Sequence, residues 1–194
     1  MSMMMMALAL ATQATPLETD PRQAALTCGA AVRATTVGDS PDGVVTITYF
    51  SISAAVQNGM EGVLDRSSGE TRLMMQRVPT VRANAPALLS QCRQRFPKAF
   101  VTGPVKLPAD DYDRRIMCSS AAAIVGTYLG KTDPGAGEKL ISRFATLVGS
   151  DEFEKRGLTD LDGYKKELGR VFRMSLEIGN FNVIVKSCEA AYPA

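Results

Sequence analysis

The chain predicts an all-α fold made of two tandem, homologous helical bundles, each closed by one disulfide. Three observations predict it: matching punctuation in the two halves, helical spacing of apolar residues, and four cysteines in equivalent surroundings. Cys28 in TCGAAVRAT and Cys118 in MCSSAAAIV each sit just inside a small-residue helix, whereas Cys92 and Cys188 are each followed by three residues, an aromatic and proline. Cys28 and Cys92 lie 64 residues apart, Cys118 and Cys188 lie 70 apart, and GDSP at 38–41 matches GKTDP at 130–134. The boundaries that follow are a first repeat at 20–97, a linker at 98–108 containing Pro104 and Pro108, and a second repeat at 109–194.

Residues 1–14 read as a signal peptide or, because no Lys or Arg precedes the apolar run from Met3 to Ala11, as a disordered N-terminal segment. That run is too short to cross a bilayer, and nothing else approaches the ~20 apolar residues a span requires. Helix starts follow at Asp20-Pro21, Ser40-Pro41 and Asp133-Pro134, each an N-cap with proline at the first helical position, where its missing N–H costs nothing. Gly43 to Val56 has strand-like β-branched content, but its counterpart GEKLISRFATLV has helical period, so it is expected to be helical too. Gly59 to Glu70 reads as a loop. Leu140, Ile141, Phe144, Leu147 and Val148 form one helical stripe, and Leu161, Tyr164, Leu168, Val171, Phe172 and Leu176 form another. The latter helix should stop at Gly179, with Asn180 capping the last one.

Duplication favours Cys28–Cys92 and Cys118–Cys188 over the two other pairings, since an ancestral half would close its own bridge. Each would contribute about 4 kcal/mol by restricting the unfolded chain. An even set of bridged cysteines suits a periplasmic or secreted protein. No CxxC pair supports redox exchange or a zinc ribbon.

The chain has no histidine, which removes Ser-His-Asp and Cys-His catalysis, HExxH zinc sites and imidazole general bases. GTYLGKT resembles a phosphate-binding loop, but Val125 stands where that motif needs glycine. Asp160-Leu161-Asp162-Gly163 fits a calcium loop only with Leu158 and Gly169 at the terminal ligand positions, so no metal or cofactor is expected. A net charge of +2 without basic blocks gives no reason to expect nucleic acid. The densest charged cluster, Asp110, Asp111, Asp113, Arg114 and Arg115, is the candidate interaction patch, with a helix cap and solvated face as the simpler reading. Arg72, Arg77, Arg82, Arg93 and Arg95 are a weaker one.

These exclusions leave a non-enzymatic exported binding protein whose partner is a protein or a small apolar ligand. The alternative is an enzyme using carboxylate or tyrosine chemistry in a cleft between the halves. An exposed apolar groove would favour binding, and two close carboxylates with shifted pKa values would favour catalysis.

Overall fold

A computed structural model describes residues 16–35 and 40–193. The candidate signal segment 1–14, and with it Gly38 and Asp39 of the first GDSP turn, lies outside the described residues. Among the described residues the fold is all-helical, without strands. The helices are α1 (Pro21–Ala34), α2 (Pro41–Val56), α3 (Val63–Val81), α4 (Ala85–Arg95), α5 (Asp111–Leu129), α6 (Pro134–Ala145), α7 (Ser150–Lys155), α8 (Leu161–Ile178) and α9 (Phe181–Ala191). No helix of the described residues is long and apolar enough to cross a membrane.

The starts of α1, α2, α5, α6, α8 and α9 are fixed locally, each by a side chain accepting the orphan N–H three residues on, whereas α3, α4 and α7 begin without such a cap. Asp20 accepts from Gln23, Ser40 from Gly43, Asp133 from Ala136 and Asp160 from Gly163, at 2.7–3.0 Å. Asn180 does more. Its Oδ1 caps α9 through the Val183 N–H at 3.2 Å, while its Nδ2 donates to the carbonyls of Ala99 and Val101 at 3.2 and 2.9 Å. One buried amide thus starts the last helix and clamps the first turn of the linker. The linker is held again where the Val105 N–H donates to Ser187 Oγ at 3.0 Å.

α2 is a helix despite its strand-like composition because it is apolar nearly all round and packs on α1 and α3 as well as on α5, α8 and α9. Its hydroxyls return their hydrogen bonds to their own helix, Thr48 to the Val44 carbonyl and Ser51 to that of Ile47, at 3.1 Å each. Phe50, fully buried, meets Tyr49 and Phe96 edge-on at ring distances of 5.5 and 5.4 Å.

The structure corrects the loop expected at 59–70. Only a short turn is present, with Gly59 at φ 106° and Gly62 at φ 61°, and α3 begins at Val63. Ser67, Ser68 and Gly69 suggest a loop, but tertiary contacts override them. Val63 is buried, and Glu70, also buried, receives Arg22 Nε at 2.9 Å. Arg66 gathers the Gly59 carbonyl at 2.5 Å and that of Ala55 at 3.3 Å, folding the turn onto the helix it precedes. α8 stops before Gly179 as expected, but that residue is extended, at φ 176°. The close approach of Val183 Cγ2, 2.8 Å from where a Cβ would stand, gives the better reason for glycine.

Both disulfides join the first helix of a half to its last: Cys28 on α1 to Cys92 on α4, and Cys118 on α5 to Cys188 on α9. The buried residues of both halves form one continuous apolar core.

Candidate functional site

Two places compete: the charged cluster at the start of α5, and an apolar groove between α2, α3, α5 and α8. In the cluster every charge has an internal partner. Asp110 caps α5 by accepting the Asp113 N–H at 2.9 Å. Asp111 accepts from Arg114 Nη2 at 2.5 Å and pairs with Arg115 Nε at 2.9 Å. Arg114 also donates to the Tyr192 hydroxyl at 3.1 Å, and Arg115 to the Leu147 carbonyl at 3.1 Å. Asp113 receives Arg170 Nη2 at 2.5 Å, and the same guanidinium holds Glu167 at 2.7 Å. The cluster is therefore a knot that ties the N-terminus of α5 to α8 and to the chain's end.

The electrostatics fit that role. The hydrogen bond from Arg170 holds Glu167 below the usual carboxylate range against the opposing effect of burial. Burial, followed by the neighbouring Glu167 carboxylate, pushes Tyr112 up to about 12, and the Arg156 guanidinium lies 3.6 Å over its ring. A general acid near neutral pH needs a carboxyl displaced the other way. Among the described residues no three acidic or cysteine side chains gather at metal-binding spacing.

The five arginines of the weaker candidate do not form one surface. Arg77 turns inward to Thr27 Oγ1 at 2.9 Å and to Glu18 at 3.3 Å, Arg95 holds the Thr19 carbonyl at 2.6 Å, and Arg93 lies over Phe100. Arg77 and Arg95 instead fasten the segment before α1 to α3 and α4.

The groove has a volume of about 470 Å³, within the range of small-ligand sites. Ile52 of α2, Leu64 of α3, Ala123 and Ile124 of α5, and Leu168 and Phe172 of α8 give it apolar walls. Thr48, Ser67, Ser119, Ser120 and Thr127 add hydroxyls, and among the described residues the only charged side chain in its lining is Lys131. Tyr164 is braced edge-on by Phe153 at 5.5 Å. Leu64, Leu161 and Tyr164 are 43%, 65% and 39% exposed, and they meet at one end, around a smaller apolar recess continuous with the groove through Leu64, Tyr164 and Leu168. Among the described residues, three of the five exposed large apolar side chains thus border one depression, an arrangement that marks binding surfaces.

The periodic stripe of α8 carries the signal for this site. Val171, Phe172 and Leu176 are buried as the spacing predicts, whereas Leu161 and Tyr164, on the same stripe, extend past the body that covers them. Gly126 of GTYLGKT has a packing role as well, together with Gly137 of α6: a Cβ on Gly126 would stand 2.6 Å from Ile141 Cγ1, and one on Gly137 only 2.5 Å from the Gly126 carbonyl oxygen. They let α5 and α6 cross closely. No family model, curated protein or solved structure matches this chain.

Proposed function

We propose that this is an exported, non-enzymatic binding protein, periplasmic or secreted, that carries its ligand in the groove between α2, α3, α5 and α8. The observation that carries the reading is the convergence of exposed Leu64, Leu161 and Tyr164 on a depression walled by Ile52, Ile124, Leu168 and Phe172. Leaving that much apolar surface wet is costly unless something covers it. Two disulfides are consistent with an oxidising compartment, and the apolar segment at 1–14 supports export. The paired state of Asp111, Asp113 and Glu167 gives the catalytic alternative no free acid or base in the charged cluster. We read the two halves as products of an internal duplication, supported by the equivalent cysteine brackets and by the acid-or-serine–proline starts of α1, α2 and α6.

Titration with an uncharged apolar dye, N-phenyl-1-naphthylamine, tests the groove. Saturable binding with enhanced emission is expected for the native protein. Ala123→Phe, which fills the groove from an exposed position on α5, should abolish it without altering the helical circular dichroism. Dye binding that persists unchanged in Ala123→Phe would refute the assignment.

A further inference from the structure

We infer that the groove takes a single-chain amphiphile with an anionic head, of the fatty-acid type, its chain against α2, α5 and α8 and its head at Lys131. This inference rests on the binding reading above and specifies its ligand. The walls that would cover the chain are Ile52, Ile124, Leu168 and Phe172. Among the described residues the lining of the main groove is one-sided in charge: no carboxylate contributes to it, and Lys131, just beyond the C-terminus of α5, is its one ion, while Asp65 in the adjoining recess is already paired with Lys165 at 3.4 Å. The Lys131 ammonium stands 4.8 Å over the Tyr128 ring, which places the cation beside the lining wall. An anionic head there gains a counter-charge, while a cationic head would meet Lys131 with nothing to offset it. Thr127, one turn before Lys131 on the same wall of α5, places a hydroxyl near the head, whereas Ser119 and Ser120 lie about 17 Å further back along the helix. At about 470 Å³ the groove lies towards the small end of ligand sites, which favours one chain over two.

The test compares dodecanoate, dodecanol and dodecylamine as displacers of N-phenyl-1-naphthylamine from the full chain, at neutral pH and below micelle-forming concentrations. Dodecanoate should displace about two- to fivefold better than dodecanol, the scale of one partly exposed charge interaction, with dodecylamine weakest. Lys131→Met should level acid and alcohol, and Lys131→Glu should reverse the order in favour of the amine; Lys131 is exposed, so both variants should keep the native melting temperature. Equal displacement by acid and alcohol in the native protein, or a preference that survives Lys131→Met, overturns the anionic head while leaving the groove assignment intact. Dye binding that none of the three chains competes for overturns the amphiphile. Absence of dye binding removes the groove reading itself. A native dimer that Ala123→Phe converts to monomer in sedimentation would show that a second copy covers the groove, and would overturn this inference too.

Discussion

The first half closes on itself and the second does not. α1, α2 and α3 each pack against the other two, with α4 tied to α1, so the segment 20–97 has a three-way interior. In the second half α6 packs chiefly on α5, and α8 divides its contacts between α5 and the α2 and α3 helices of the other half. Tyr49 of α2 donates to the Leu176 carbonyl of α8 at 2.9 Å, and Gly169 of α8 lies against the Met60 carbonyl in the turn before α3. The second half thus uses the first as a wall. Where α8 crosses over, its stripe outruns the covered surface, and the groove is what remains open.

Several substitutions sharpen or break this comparison. The largest effect is expected from removing a disulfide. Because the loops are of similar length, Cys28→Ala/Cys92→Ala and Cys118→Ala/Cys188→Ala should each cost about 4 kcal/mol in urea unfolding and differ by less than about 1 kcal/mol. A much wider gap would mean that one half, and not the shared core, sets the stability. Next is the seat of α8. A Cβ at Gly169 would stand 2.1 Å from the Met60 carbonyl oxygen, a backbone atom, so Gly169→Ala should cost about 2–3 kcal/mol by the same measurement. Gly69, on the exposed side of α3 with nothing within 4 Å of its Cβ position, is the control; Gly69→Ala should stabilise by about 0.5–1 kcal/mol.

Tyr49→Phe removes the hydrogen bond from α2 to α8 and leaves a buried carbonyl without that donor. About 1–2 kcal/mol should be lost, and the high-pH transition of this tyrosine, raised to about 12 by burial, should vanish from ultraviolet titration. A smaller, pH-dependent effect belongs to Glu167. Its folded pKa lies below the ordinary value, so its contribution is complete above about pH 4.3 and is lost as the pH falls through the depressed folded value. Glu167→Gln should therefore lower stability by about 1 kcal/mol at neutral pH and flatten the acid limb of the stability profile.

Much of the frame is local, and so it is legible in the sequence. The N-cap residues, the helical period of α8 and the equivalent settings of the four cysteines each depend on neighbours within a few residues. α2 is legible only by reference to α6, because the β-branched content of 43–56 argues for a strand and burial on all sides decides for a helix. The turn at 59–62 and the early start of α3 are not legible, since Arg22 reaches Glu70 from α1, and Asn58 and Arg66 close the turn through hydrogen bonds that composition does not show. The groove is least legible of all. Periodicity says that Leu161, Tyr164, Leu168 and Phe172 share a face, but where that face loses its cover depends on how α8 crosses α2 and α3, a non-local fact. The same limit applies to the cluster at 110–115, whose density of charge suggests an interaction patch until Arg170, Leu147 and Tyr192 are seen to occupy it.

The central claim is most directly tested by methyl NMR of the Ile- and Leu-labelled protein saturated with N-phenyl-1-naphthylamine. Shifts confined to Ile52, Leu64, Ile124, Leu161 and Leu168, with Leu26 and Leu88 in the interior of the first half unmoved, are the predicted result. Shifts centred away from the methyl groups of these lining residues, or none at all, would contradict a ligand seat in the groove.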